Sequence, residues 1–151
     1  MPIVHDPGAA DEQAWRRLWS GYIAFYGSEI SEVVTAATWR RMLDSTSPIF
    51  GRLVIVDSVV VGFSVSVLHD GTWTTAPVCY LEDLFVDPPY RGRGCGRLLI
   101  QDSLNPGTLD GGLLIERRLF DLHDTMSHAN KPAVDVKRLR GYEHRIFACE
   151  K

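Results

Sequence analysis

The sequence predicts one α/β domain in which a mixed sheet carries helices on its faces, with elements in the order ααβββαβαβ. Three observations predict it. Two amphipathic helical patterns fill residues 11–43. Three β-branched runs separated by tight turns follow, between residues 53 and 86. The last of these runs into a glycine-rich turn and then a new helical pattern. A length of 151 residues suits one core and one domain spanning 1–151.

Taken in order, "DEQAWRRLWSGYIAFY" (11–26) sets Trp15, Leu18, Trp19, Tyr22 and Tyr26 at spacings of three and four, the stripe of an amphipathic helix. Gly27 stops it. In "SEVVTAATWRRML", Ser31 is the N-cap of a second helix that runs to Leu43. "STSPIFG" reads as loop. Leu53–Val56 and Val59–Leu68 are strands joined by a tight Asp57-Ser58 hairpin, and His69-Asp70-Gly71-Thr72 is the next turn. Val78–Val86 is a third strand. Gly94–Leu104 is helical, with Leu98, Leu99, Ser103 and Leu104 inward, and Asn105-Pro106-Gly107 ends it. Leu113–His123 holds a strand, Lys131–Arg140 a short helix stopped by Gly141, and Glu143–Cys149 a last strand.

Composition narrows the function classes. Apolar residues make up 45% and charged residues 23%, as in ordinary globular chains. A formal net charge of -3 argues against a nucleic-acid partner, which calls for a basic face. Three cysteines without close pairs (Cys79, Cys95, Cys149) read as reduced thiols in a cytoplasmic protein. No signal peptide is expected, and no membrane partner either, since no apolar run approaches the roughly 20 residues of a span. His123 and His128 lack a third ligand at zinc-like spacing, so no metal is expected.

The stretch "LEDLFVDPPYRGRGCG" (81–96) carries the chemistry. A strand, a glycine-rich turn and a helix start together make an anion cradle. Successive backbone N–H groups converge there, and the helix dipole adds positive potential. Arg91, Arg93 and Arg97 add charge. The glycines stand at 92, 94 and 96. That is neither the G-x-G-x-x-G of dinucleotide folds nor a P-loop.

At these residues the chain resembles the GCN5-related N-acetyltransferases (GNAT). Arg91-Gly92-Arg93-Gly94-Cys95-Gly96 is similar to that family's R/Q-x-x-G-x-G/A motif, and "NKPAVDVKRLRGYE" to its second cofactor helix. The resemblance implies the GNAT-like acyl-CoA N-acyltransferase fold and acetyl-CoA as donor. It implies a bulge in the strand before the glycine loop. Leu84, Phe85 and Val86 would then lie along the pantetheine arm, and Arg91, Gly92, Arg93, Gly94, Cys95, Gly96 and Arg97 would bind the cofactor at its pyrophosphate. Asn130 and Ala133 fall on the second cofactor helix. Within the family, Gly62-Phe63, Trp73 and Tyr80-Leu81-Glu82-Asp83 resemble the spermidine/spermine and thialysine acetyltransferases. That implies a small cationic amine (polyamine, diamine or amino-acid-like) as acceptor. Relatives are often homodimers.

Amine acetylation needs an ammonium to lose a proton, the amine to attack a thioester, and a thiolate to leave. A carboxylate near the amine binds the cation and accepts its proton. Adjacent strand residues face opposite sides unless a bulge intervenes, so Glu82 and Asp83 have different tasks. The resemblance makes Glu82 the amine contact and base, and leaves Asp83 to bind a second positive charge or to serve structure. Trp73 and Tyr26 are candidate cation–π walls, and Glu29 is a further acceptor-side candidate.

Two features depart from the family pattern. Where relatives carry the tyrosine that protonates the leaving thiolate, this chain has Lys137. The proton donor is then Lys137, water or Tyr142. Residues 105–129 are also longer than the usual span. These departures keep open a coenzyme-A-binding sensor without turnover, and an acetyltransferase of peptide lysines, beside the small-amine enzyme. Cys95, at a helix start where a thiol pKa is lowered, is either a nucleophile or an apolar filler of the loop.

Overall fold

The computed structural model describes residues 1–72, 75, 77–104, 114–115 and 149–150. The chain opens with a short strand, β1 (Ile3–His5), then α1 (Glu12–Tyr26) and α2 (Glu32–Leu43). Three strands follow: β2 (Ile49–Val56), β3 (Val59–Asp70) and β4 (Pro77–Val86). A short 3₁₀ turn at Pro88–Tyr90 leads to α3 (Cys95–Ser103). Two-residue strands β5 (Leu114–Ile115) and β6 (Cys149–Glu150) pair with each other. The first four strands form one antiparallel sheet in the order β1-β2-β3-β4. Lys131–Arg140, most of Leu113–His123 and most of Glu143–Cys149 lie outside the described residues.

The helix expectations hold closely. Gly27 ends α1 in the left-handed conformation, and the Ser31 hydroxyl accepts the Val34 N–H. Asp57 and Ser58 both have positive φ, the signature of a two-residue hairpin that matches strand twist. Three expectations need correction. β1 was not foreseen; its three residues pair with Leu53–Ile55 and carry too short a pattern to stand out. Ile49–Gly51 is strand and not loop, because Ile49 and Phe50 pair with Val67 and Ser66 despite Pro48 and Gly51. His69 and Asp70 are likewise strand, paired with Val78 and Pro77, so the turn begins later.

The sheet separates two cores. On one face α1 and α2 bury Trp15, Leu18, Trp19 and Trp39 against Leu53, Phe63, Val65 and Phe85. Trp15 stacks on both Trp19 and Trp39. On the other face α3 packs Cys95 and Leu99 on Val54, Val61, Leu84 and Val86. Of the expected inward positions of α3, Leu99 and Ser103 are buried, whereas Leu98 and Leu104 are half-buried. Buried Arg52 on β2 bonds Asp102 of α3 at 2.7 Å and pairs with Asp6, tying the N-terminal segment to that face. Among the described residues no helix is long and apolar enough to cross a membrane, and no cluster of His, Cys, Asp and Glu side chains is placed to hold a metal.

Candidate active site

The site is built around β4, and the register of that strand is its central feature. Val65 pairs with Asp83, but the next residue, Ser66, pairs with Leu81. Glu82 is therefore an extra residue, a β-bulge, where the resemblance implied one. Its consequence can be read in the packing. Cys79 packs toward the Leu104 end of α3, and Leu84 and Val86 pack on α3 as well. An odd and an even position share a face only because one residue between them is unpaired. The bulge thus inverts the pleat, leaving Glu82 exposed and putting Asp83 on the same side as Phe85, the α1 face.

On that face Tyr22 of α1 donates its hydroxyl to Asp83 Oδ1 at 2.6 Å, short for a neutral pair and typical of a bond to a carboxylate. Burial, then the bond to Asp83, pushes the Tyr22 phenol above its ordinary range. α1 reaches β4 closely because residue 21 is glycine: a Cβ there would stand 3.1 Å from Phe85 Cζ. The far end of the contact is fixed by Arg17, which bonds Asp87 Oδ2 at 2.6 Å and the Val60 carbonyl at 2.9 Å. Tyr26 packs edge-on against Tyr22 with centroids 5.0 Å apart, and is 40% exposed. Glu29 is exposed in the segment between α1 and α2, and Trp73 lies outside the described residues. Tyr22 was read only as part of the α1 stripe. Its hydroxyl, five residues before Gly27 on the buried face, is the available signal that it needs a polar partner.

Past Val86 the chain turns into the glycine run. Gly92 and Gly94 have φ of +73° and +83°, and a Cβ at either would meet nothing within 4 Å. These glycines are required by backbone conformation and not by crowding, so the loop surrounds open space. Gly94 caps α3, and its carbonyl accepts the Leu98 N–H at 3.0 Å. Among the described residues, no side chain caps the N–H groups of the first turn. This cradle fits a phosphate-bearing group.

The arginines divide their tasks. Arg91 turns inward: Nε donates to the Val86 carbonyl at 2.8 Å and the guanidinium lies 5.5 Å over the Phe85 ring. Its buried Nη2 has no partner among the described residues, and burial lowers its pKa. Arg93 lies over Tyr90, and Arg97 is exposed on the first turn of α3. Cys95 contributes a backbone amide only. Its side chain is 2% exposed within the α3 core, and burial raises its pKa. The lowered thiol pKa expected at a helix start is corrected accordingly: the side chain points into the core, and its role is that of the apolar filler. Gly96 is buried in α3 against the sheet. Leu84, Phe85 and Val86 are buried side chains whose backbone forms the end of β4, the last strand of the four-stranded sheet. Asn130, Ala133, Lys137 and Tyr142 lie outside the described residues.

Comparison with solved structures places this arrangement in a known fold. The chain superposes on the aminoglycoside acetyltransferase AAC(6')-Iy bound to the bisubstrate analog CoA-S-monomethyl-acetylneamine. The TM-score is 0.59 and the identity 22%, over 68% of this chain and 69% of that one. An aminoglycoside acetyltransferase from an uncultured soil metagenomic sample, in complex with sisomicin, matches at TM-score 0.59 and 17% identity, over 87% and 88% of the two chains. A ribosomal-protein-alanine N-acetyltransferase from Brucella melitensis matches at TM-score 0.55 and 16% identity, over 67% of each. These identities establish a shared fold. In sequence, the chain is 32% identical over 93 residues to the D-amino-acid N-acetyltransferase HPA3 of Saccharomyces cerevisiae, covering 60% of this chain. The match spans 58% of the length of that relative. Residues 12–142 match the model of the Acetyltransferase (GNAT) family, and with the bulged strand and the glycine cradle in place the chain belongs to that family.

Proposed function

We propose that the chain is an acetyl-CoA-dependent N-acetyltransferase that acetylates the primary amine of a small cationic acceptor by direct attack in a ternary complex. The observation that carries this reading is the bulge at Glu82. It puts an exposed carboxylate on β4 ten residues before the open, positive-φ glycine at 92, in the loop that starts α3. Acceptor chemistry and an anion cradle thus share one strand. The relatives named above include acetyltransferases of a D-amino acid and of aminoglycosides, which supports an amine acceptor.

Acetyl-CoA supplies an activated acetyl thioester. The amides of Gly92 to Arg97 hold its pyrophosphate, with Arg93 and Arg97 adding charge, and the backbone of Leu84, Phe85 and Val86 runs beside its pantetheine arm. Arg91 acts from below, bracing the strand end through the Val86 carbonyl. Asn130 and Ala133 are further cofactor-binding residues on this reading. Glu82 binds the ammonium and takes its proton. The amine nitrogen then bonds to the carbonyl carbon as the carbon–sulfur bond breaks, and the thiolate takes a proton from Lys137, Tyr142 or water. Holding both substrates along one strand contributes several kcal/mol through proximity. Asp83 binds a second positive charge, with Tyr26, Trp73 and Glu29 at the acceptor side.

Thiol release from acetyl-CoA tests this, with polyamines, diamines, amino acids, aminoglycosides and a lysine peptide as acceptors. Turnover is expected on small cationic amines. Glu82→Gln is expected to lower kcat by about 10²–10⁴-fold, the worth of a positioned base. Coenzyme A binding without turnover on any acceptor would instead identify a binding module. Preference for the peptide would overturn the small-amine acceptor.

A further inference from the structure

We infer that Tyr22 is a positioning residue that holds Asp83 as the reader of a second cationic group on the acceptor, and so sets the preference for acceptors with two cations over those with one. The inference rests on the reading just given and extends it to a residue that the glycine and carboxylate motifs do not include.

Three observations carry it. The Tyr22 hydroxyl meets Asp83 Oδ1 at 2.6 Å across 61 residues of sequence. The meeting is constructed from both sides. The bulge at Glu82 turns Asp83 to the α1 face, and Gly21 lets α1 come close enough to Phe85 for the next residue to reach it. The Tyr22 ring is itself clamped, stacked on Trp19 at 5.5 Å and edge-on to Phe63 and Phe85. A ring held on three sides leaves its hydroxyl one direction, so the carboxylate it bonds is held as well.

The type of anchor matters. A phenol orients a carboxylate without adding a positive charge to it, whereas an arginine or lysine anchor would cancel the charge it orients. The raised phenol pKa keeps Tyr22 a donor through the working pH range. Beside this pair stands Tyr26, a half-exposed ring at 5.0 Å from Tyr22, whose face suits an ammonium. Glu82, exposed on the bulge, and Asp83, turned to α1, are then neighbours in sequence that meet two different nitrogens of one acceptor.

The test compares putrescine with n-pentylamine, a chain of equal length in which a methyl replaces the second ammonium. Initial rates of thiol release are measured for wild type, Tyr22→Phe, Asp83→Asn and the double variant. Wild type is expected to favour putrescine. Tyr22→Phe keeps the ring and its packing, and is expected to lower the putrescine-to-pentylamine ratio of kcat/KM about tenfold, the worth of one hydrogen bond to a charged group. The loss should fall mainly on KM for putrescine. Asp83→Asn should lower the same ratio, and the double variant should lower it no further than Asp83→Asn alone. A Tyr22→Phe loss equal for both amines would mark a merely structural ring and overturn the inference. So would an unchanged ratio, or a wild type that prefers the monoamine. If Tyr22→Phe does not fold, Asp83→Asn decides alone, and an unchanged ratio there overturns it. A wild type that turns over other amines but shows no preference between these two sinks only this inference. A wild type inert on every acceptor sinks the proposed activity and this inference together.

Discussion

The two faces of the sheet do opposite kinds of work at the same strand. The α3 face ends in a site made of backbone: open glycine conformations and the first turn of a helix, with the side chain of Cys95 buried beneath. The α1 face ends in a site made of side chains: Tyr22, Asp83 and Tyr26 over an aromatic core. A backbone site tolerates many side chains but few conformations. A side-chain site depends on which residue faces which way, and here one bulge decides that. On the proposed reading, cofactor affinity and acceptor choice are separable in this molecule, because the residues assigned to them rest on different physical properties of β4 and its neighbours.

The largest effect that would break this division is a change in the cradle. Gly94→Val puts a β-branched side chain at a φ of +83°, a conformation that L-residues adopt only under strain. The loop must shift, and the new side chain enters space that is open in the native fold. Coenzyme A affinity, measured by calorimetry, is expected to fall between about tenfold and a hundredfold. That corresponds to roughly 1–3 kcal/mol of strain and lost backbone hydrogen bonds. The ratio between putrescine and pentylamine at saturating donor should stay where it was. Unchanged coenzyme A affinity would show that the cradle is not the cofactor site. An altered acceptor ratio would show that the two faces are coupled.

What could be read from the sequence follows the same division. Glycine permits positive φ and clusters in such turns, so the cradle was legible at 92 and 94, although Gly96, the third glycine of the run, is helical. The stripe Trp15, Leu18, Trp19, Tyr22 was legible because helix periodicity is local, and the Asp57-Ser58 turn because hairpin chemistry is local. The Tyr22–Asp83 bond was not. It needs two segments 61 residues apart and a pleat inversion that periodicity does not announce. Ile49–Gly51 was hidden by Pro48 and Gly51, residues that signal loops until a partner strand supplies the pairing. Arg91 sits in the motif as if to meet an anion, yet its Nε spends its bond on the Val86 carbonyl, a choice only the folded strand end can show.

A smaller effect sharpens the comparison within the α3 face. Ser64 and Ser66 are both buried on β3, two residues apart and so on one side of the strand. Ser64 Oγ shares a hydrogen bond with Ser103 Oγ at 2.9 Å, while Ser66 Oγ has no partner among the described residues. A buried hydroxyl without a partner carries its desolvation cost uncompensated. Ser66→Ala is therefore expected to leave stability unchanged or raise it by up to about 1 kcal/mol, and Ser64→Ala to lower it by about 1 kcal/mol. Urea denaturation of both variants checks the contrast. Equal losses at the two positions would mean that the Ser66 hydroxyl is satisfied in solution.

The smallest effect concerns the thiol beneath the cradle. Burial raises the Cys95 pKa, against the opposing influence of its own helix-start amide and of Arg93. The fold thus favours the protonated thiol, and the unfolded chain binds fewer protons once the pH passes the ordinary thiol value of about 8.5. Stability contributed by this group is fully present below that pH and is lost as pH rises through the higher folded pKa. Burial also raises the pKa of Tyr22, but a phenol's ordinary value of about 10 puts its window higher. Between pH 8 and the onset of that window, about pH 10, wild type should therefore lose stability faster than Cys95→Val, as read from urea midpoints. The valine keeps an apolar group in the α3 core and removes the proton. Parallel pH profiles for the two proteins would mean that the Cys95 amide and Arg93 cancel the effect of burial. A wild type that instead gains stability over this range relative to Cys95→Val would mark a thiol activated by the cradle rather than a filler beneath it.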